Sequence, residues 1–535
     1  MKIGPQAAAA ILLAAVFLSH LPLLDAGYVQ DDHIAVEDNA IVAGGTVSAI
    51  VGASYWDGTR GGDRTLYRPV TVASYALEVA AAGGARPVVS HALNLILHAA
   101  VCGLLYGLAV ACGIEPKAAL LAALLFAVCP SKSEAVANVV GRAELLAALF
   151  TLAAVRSALP AGSRIAAWLA AVCVLFACAS KETGLVALPL VILVALDGRK
   201  VKDAAGLIAP SLLAVTIFAI LRTRALEAFF PAQVVPPGDN PIVLEHGVRY
   251  VATALGLIAR YAHIVVFPFG LSNDYTGGSL PIEDSLVAFR PIAGVVIAAL
   301  LVWTATLGRV AALFVAIAVL PYLMIGNLIV PVGAILAERF LYLPVAGLCL
   351  LAALAIAKLG ARARAAAIAA IVILGVAMIA RSFEWKDDAT IFAATARNNP
   401  KSLRAALWLG RPDDAIASWP TSAAAWHDKG VAAAKAGDLR GAEQALREAV
   451  RLDPSHPAPQ LNLGLVLHRT GELDAAERAL RKAILLDPKN ARAFAELGHV
   501  RHETGRRTEA AEAYRRAVAL GRTDLLPRLT ELERK

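Results

Sequence analysis

GVAAAKAGDLRGAEQALREAVRLDPSHPAPQLNLGLVLHRTGELDAAERALRKAILLDP (430–488) repeats itself every 34 residues. Gly430, Gly464 and Gly498 share one phase of that period. Gly437, Gly471 and Gly505 share a second, Ala442, Ala476 and Ala510 a third, and Ala449, Ala483 and Ala517 a fourth. Pro454 and Pro488 close two successive units. Small residues recurring at this period sit where two antiparallel helices touch, and the proline marks the turn between one helical pair and the next. The pattern predicts an α-solenoid over 421–535, about three repeats with a capping helix at 522–533. Residues 383–420 read as a linker with a degenerate helical repeat, the repeat itself at about 400–420.

Upstream of the repeats the composition changes. The chain has 535 residues, 58% of them hydrophobic, with a mean hydropathy of +0.63. A soluble domain is closer to half apolar, and the excess here lies in Ala/Leu/Val/Ile runs before residue 382. A helix that crosses a bilayer needs about 20 mostly apolar residues. Eleven runs approach that requirement: about 6–24, 91–112, 117–130, 143–159, 165–179, 183–197, 204–221, 291–307, 309–328, 340–357 and 365–381. The first lacks a clear small-residue cleavage site and others follow it, so it reads as a retained span rather than a signal peptide. The expected fold is all-α: a polytopic membrane helix bundle of about 11 spans over 1–382, followed by the solenoid.

The net charge of +8 is not a nucleic-acid signature. Much of it lies in short loops between apolar runs, where Lys/Arg bias sets topology. With the N-terminus inside, the inner loops carry Lys117, Arg164, Arg199-Lys200-Lys202, Arg309 and Lys358-Arg362-Arg364. RYVATALGLIARYAHIVVFP (249–268) contains Arg249, Arg260 and His263, which are costly at membrane depth, and reads as an amphipathic helix on the outer surface. An odd number of spans then puts the solenoid outside. The six cysteines lie in or beside apolar runs without CxxC or metal-finger spacing, and are read as small apolar-run residues.

Under this topology the polar residues of the membrane part gather on the outer side. The first outer loop holds Asp31-Asp32 and Tyr67-Arg68-Pro69. The second span opens with His91, Asn94 and His98, on one helix face by their i, i+3, i+7 spacing. SKSEAVANVVGRAE supplies Lys132, Glu134, Asn138, Arg142 and Glu144; further outer turns supply Lys181-Glu182, Asn273-Asp274-Tyr275 and Glu338-Arg339. Each has a plainer reading. The aspartates suit a solvated loop, the His/Asn stripe suits interhelical hydrogen bonds better than metal ligation, and the adjacent charges suit helix ends or ion pairs. Their convergence on one face instead suggests a polar cavity open to the outer leaflet.

The 34-residue unit resembles the tetratricopeptide (TPR) repeat. The chain as a whole resembles the transmembrane and TPR repeat-containing O-mannosyltransferase family, of the GT-C class of polyprenyl-phosphate-sugar-dependent glycosyltransferases. The stretches that carry this are YVQDDHIAVEDNAIV (28–42), YRPVTVASYALE (67–78), SHALNLILHAAV (90–101), LFAVCPSKSEAVANVVGRAELLAALF (125–150), SKETG (180–184), LSNDY (271–275), VPVGAILAERFLYLP (330–344) and WKDDATIF (385–392), in the family's order. The chain departs from the family at Cys129-Pro130-Ser131-Lys132, where His-Pro followed by His or Thr is usual. It also has fewer repeats than the animal members.

The resemblance implies inverting transfer of a sugar, mannose in the family, from a polyprenyl phosphate to a Ser or Thr hydroxyl on the periplasmic or lumenal face. Asp31 matches the first acid of the related enzymes' acidic pair and is the expected general base, with Asp32 orienting it or the acceptor. Arg142 and Arg339, with Lys181 behind them, are the expected donor-phosphate ligands. Arg68, His91, Asn94, Glu134, Asn138, Glu144, Glu182, Asp274 and Glu338 are expected to support the polar cavity. No metal is required; a divalent cation at Asp31/Asp32 is compatible with the pair but has no accompanying motif. The expected partners are the lipid-linked donor, the bilayer and a protein acceptor held by the TPR groove, with no nucleic acid. Two alternatives stand beside this: a GT-C transferase acting on a lipid or glycan, and a non-catalytic TPR scaffold. The Ala- and Arg-rich usage points to a bacterial inner membrane; in a eukaryote the corresponding membrane is the endoplasmic reticulum.

Overall fold

The computed structural model describes residues 4–59, 65–159, 163–197, 201–229, 231 and 235–534. The Arg199-Lys200 part of the basic inner-loop run lies outside these residues, as does the side chain of Lys202. The chain divides into two compact units. One comprises 1–275 and 281–399, the other 276–280 and 400–535. Among the described residues both are helical, with no strand.

Every apolar run of the first unit is helical. The helices are Pro5–Ser19, Pro87–Ala111, Pro116–Val128, Arg142–Ala158, Arg164–Ser180, Ala187–Leu196, Val201–Leu226, Phe289–Thr306, Arg309–Ile325, Tyr342–Leu359 and Ala361–Glu384. Among the described residues, five helices are long and apolar enough to cross a membrane by length and composition. A sixth is formed if Pro116–Val128 and Pro130–Ala137, bent by 58°, make one broken span, and five shorter apolar helices accompany them. Their outer faces expose Ile165, Trp168, Leu169, Val172, Val295, Trp303, Val372 and Val376, which water would penalise and lipid accepts. This first unit is a multi-pass helical membrane unit. Gly247–Val266 is two-faced: Ala252, Gly256, Leu257 and Tyr261 are buried, while Val248 and Arg249 are exposed.

Helix ends grouped by charge also group in space. Arg309 pairs with Asp197 at 2.9 Å and Arg364 with Glu115 at 2.9 Å, so inner loops of the basic set are joined two by two. The unit runs on past 382 to Asn399, because the segment after the last apolar helix packs back on the first loop. The Gly27 N–H donates to the Lys386 carbonyl at 2.9 Å, and the Gln30 N–H to Asp388 Oδ1 at 2.8 Å.

In the second unit the repeats are the pairs Ala423–Ala436 with Leu439–Leu452, Pro457–Arg469 with Leu473–Leu486, and Ala491–Glu503 with Arg507–Ala519. A shorter pair, Leu403–Trp408 and Pro412–Ser418, precedes them, and Leu526–Glu533 follows. A Cβ on Gly430, Gly464 or Gly498 would press on Leu446, Leu480 or Tyr514 of the second helix, which accounts for the first glycine phase. Gly437, Gly471 and Gly505 adopt φ of 86°, 82° and 77°, the left-handed turn that ends each first helix.

Candidate active site

The two aspartates of the first outer loop part company. Asp31 is exposed. Asp32 is fully buried, and its two oxygens accept backbone N–H groups from Val140 at 2.8 Å, Val139 at 3.1 Å and Val29 at 3.3 Å. Burial pushes its carboxyl up to about 7 against the pull of those donors. The turn that presents them depends on Gly141, where a Cβ would run into the Ala135 carbonyl. Both Asp32 oxygens face N–H donors, a surrounding that suits no divalent cation, so the pair does not fit a metal site. Among the described residues no His/Cys/Asp/Glu group is placed to hold one.

Around Asp31 lies a connected set of charges from five segments. Arg339 donates its backbone N–H to Glu134 Oε2 at 2.9 Å, and its guanidinium pairs with the other oxygen of Glu134. Lys181 pairs with Glu144. Arg68 donates Nε at 3.0 Å and Nη2 at 2.8 Å to one oxygen of Glu182, whose other oxygen faces Arg222 at 3.4 Å. These pairs interact with one another: Arg339 with Lys181, Glu144 and Asp31, and Arg68 with Lys181 and Glu144. Three of the carboxylates are engaged in ion pairs, while Asp31 stands exposed. Of the cations, Arg339 is the most open, with 39% of its side chain exposed against 14% for Arg68 and 9% for Lys181.

Arg142 does not join this set. Its guanidinium is entirely enclosed, 2.6 Å from Glu78, and donates to Asn94 Oδ1 at 2.9 Å and the Ser90 carbonyl at 3.2 Å, with the Tyr75 ring at 4.7 Å. A charge so deep needs a neutralising partner, and Glu78 supplies one. Asn94 in turn donates to the carbonyls of Val136 and Asn138 at 3.3 Å each, and the Asn138 side chain caps the same turn at the Val140 N–H. His91 contacts the Gly27 carbonyl at 3.1 Å and His98 the Tyr342 hydroxyl at 2.7 Å, so the His/Asn stripe joins three different segments.

Glu338 and Asp274 belong to a third cluster. Buried Glu338 accepts from the Ser272 N–H at 2.7 Å and the Tyr275 hydroxyl at 3.0 Å, and faces Arg381 at 3.5 Å. Buried Asp274 accepts from the Ser272 hydroxyl through its carbonyl at 2.7 Å, and from Asn399 at 2.9 Å.

Two segments of the chain, 433–495 and 493–527, match tetratricopeptide repeat family models. Over 71% of its length the chain is 27% identical to human "Protein O-mannosyl-transferase TMTC3", covering 46% of that protein. It is also 27% identical, over 83% of its length, to "Protein O-mannosyl-transferase F38B6.6" of Caenorhabditis elegans, covering 63% of it. The chain is a homologue of the transmembrane, TPR-bearing O-mannosyltransferases. It spans about half the length of TMTC3. Among solved structures, the crystal structure of MamA is 26% identical over 24% of this chain and 84% of its own, with a TM-score of 0.23.

Three charged members of these clusters escape a sequence reading even with the O-mannosyltransferase homology in view: Glu78, Arg222 and Arg381. Each was signalled by its setting. Glu78 closes the stretch YRPVTVASYALE, Arg222 interrupts the apolar run 204–226, and Arg381 stands at the end of the last apolar run. A charge within or at the edge of an apolar helix needs a partner, and here the partners are Arg142, Glu182 and Glu338.

Proposed function

We propose that this chain is a membrane glycosyltransferase that moves a sugar, mannose by likeness to its homologues, from a polyprenyl phosphate to a Ser or Thr hydroxyl of a protein. The face is the periplasmic or lumenal one, and the anomeric carbon inverts. The observation that carries the reading is an exposed carboxylate, Asp31, within electrostatic reach of an accessible guanidinium, Arg339, in a homologue of enzymes of that name.

The chemistry asks for two opposite charges side by side. Asp31 accepts the hydroxyl proton as the oxygen attacks the anomeric carbon. The bond from that carbon to the phosphate oxygen breaks, and its electron pair leaves with the lipid phosphate. A general base contributes about 10²–10⁴ in rate. Arg339 meets the charge that grows on the phosphate, with a planar fork suited to two oxygens. Lys181 and Arg68 stand near Arg339, held by Glu144 and Glu182, and Glu134 fixes Arg339. Asp32 is a positioning residue, tying the loop that carries Asp31 to the 138–141 turn. The bilayer supplies the isoprenoid-linked donor, and the TPR repeats favour a protein over a lipid acceptor.

The test is purified protein incubated with a panel of radiolabelled polyprenyl phosphate sugars and a membrane extract as acceptor. Label in protein supports the reading. Label confined to lipid overturns the protein acceptor, and no transfer from any donor overturns the enzyme.

A further inference from the structure

The helix Arg309–Ile325 runs into a loop that stays apolar. From Val310 to Ala337 the chain carries no charged residue. Ile329 and Val330, at the tip of the loop, are 70% and 59% exposed, and Pro331 is exposed beside them. A bare Ile-Val-Pro tip is costly in water and suits lipid. Lipid sets a second condition: irregular backbone is tolerated there only where its polar groups find protein partners. Asn327 supplies them. It is buried, with φ of 57°, and its amide makes all four of its hydrogen bonds. Oδ1 accepts from Asn240 Nδ2 at 2.8 Å and from the Val332 N–H at 2.9 Å, while Nδ2 donates to the Ala334 and Ile335 carbonyls at 3.2 Å and 3.1 Å. Asn240 also donates to the Val332 carbonyl at 2.7 Å, and the Tyr250 hydroxyl to the Asn327 carbonyl at 2.9 Å. Pro331 has no N–H to satisfy.

We propose that the loop 328–334 seats its tip in the bilayer, as a wedge clamped at its base by Asn327. The occupant of the bare surface is lipid, because the loop continues the charge-free run of an apolar helix and has its base backbone groups answered from within. Tyr250, which holds the Asn327 carbonyl, is flanked on its own helix by the exposed Val248 and Val251, a second apolar edge at the same hub. Arg249 between them is answered by Glu245 at 3.2 Å and Asp284 at 3.1 Å. The clamp also reaches the candidate site. Ile335, held by Asn327, leads through buried Leu336 and Ala337, whose N–H donates to the Tyr261 hydroxyl at 3.2 Å, to Glu338 and Arg339. The depth of the wedge thereby sets the level of Arg339 against the lipid phosphates. That last consequence rests on the transferase reading; the contact with lipid does not.

The experiment uses the full chain in lipid nanodiscs, with an environment-sensitive fluorophore on Val330→Cys and, for comparison, on Lys482→Cys, an exposed position on the second helix of a repeat. Emission from the protein labelled on its native cysteines alone is subtracted. Expected at 330 is a blue shift, loss of emission with lipids brominated within about 10 Å of the headgroups, and little quenching by aqueous iodide. The label at 482 should behave in the opposite way. Asn327→Gly keeps the left-handed φ but loses the amide, and should quicken hydrogen exchange over 332–337 by about tenfold. Where Arg339→Lys slows transfer, Asn327→Gly should slow it too. A label at 330 that iodide quenches like the one at 482 overturns the proposal, and so does one shielded from both quenchers, as a protein partner would shield it. Unchanged exchange in Asn327→Gly overturns the clamp. Unchanged transfer in that variant alone cuts the link to Arg339 and leaves the transferase reading standing.

Discussion

Glu78→Gln separates an arginine that braces the bundle from one that reaches the donor. Arg142 and Glu78 have side-chain exposures of 0% and 2%, and their charged atoms are 2.6 Å apart. The Ser90 hydroxyl also donates to Glu78, and Asn94 and the Ser90 carbonyl take further guanidinium hydrogens. Removing one partner of a buried pair strands the other charge, at about 3–5 kcal/mol; replacing both by apolar groups of similar volume is often neutral. Glu78→Gln and Arg142→Met should therefore each lower unfolding stability in detergent by about 3–5 kcal/mol. The double variant Glu78→Gln/Arg142→Met, which leaves no uncompensated charge, should lose much less than their sum, a coupling the double-mutant cycle reads directly. Denaturant unfolding followed by intrinsic fluorescence gives the three differences. Polyprenyl phosphate binding to the folded fraction supplies the second readout, and Arg142→Met should keep it. If both single variants unfold like wild type while Arg142→Met loses the donor, Arg142 reaches the phosphate and the bracing argument fails.

Four other expectations follow from the same geometry. Arg339→Lys keeps the charge but loses the fork, and should slow transfer by about 10²–10³; unchanged turnover in a folded variant removes Arg339 from the donor site. Asp31→Asn should lower turnover by about 10²–10⁴ with donor binding intact, whereas Asp32→Asn should act mainly through stability; the reverse ranking exchanges their roles. Because the Asp32 carboxyl is pushed up to about 7, the folded chain keeps a proton that the unfolded chain releases near pH 4. Its contribution to stability is therefore fully present below about pH 4 and declines as pH rises through 7, so melting temperatures between about pH 5 and 8 should slope less in Asp32→Asn. A cysteine placed in 421–535 should react with a membrane-impermeant reagent on the outer face of intact cells; labelling only after permeabilisation would put the repeats inside.

What the sequence made legible was what has a period. The 34-residue spacing located each helical pair, because the same glycines meet Leu446, Leu480 and Tyr514 in every unit. Length and apolarity located the membrane helices in the same way. Depth had no such signal. Arg142 and Arg339 both stand at the end of an apolar run, within two residues of a glutamate, yet one is enclosed and the other open. The difference is made by Glu78, 64 residues from Arg142 in the chain, and by the Pro87–Ala111 helix that carries Asn94. No local pattern encodes an encounter of that kind. The charged clusters were found because charge is costly in an apolar setting; which acid answers which base was settled by packing.

The acidic pair shows how packing divides two adjacent identical residues. Gln30, just before them, has φ of 51°, a left-handed conformation that costs a non-glycine residue about 1–2 kcal/mol. It persists because its surroundings over-determine it. The Gln30 N–H is held by Asp388 Oδ1, the Gly27 N–H by the Lys386 carbonyl, and the Val29 N–H by Asp32 itself. His33, on the far side of the pair, faces Asp388 at 3.5 Å. The stretch WKDDATIF thus acts on the pair from a distance of more than 350 residues in sequence. It fixes a turn that sends Asp32 inward to the 138–141 backbone and leaves Asp31 outside. A strained turn braced from a remote segment, with the exposed Asp31 carboxylate within electrostatic reach of Arg339, is the arrangement expected of a base that must be held still. A merely solvated loop has no need of the brace.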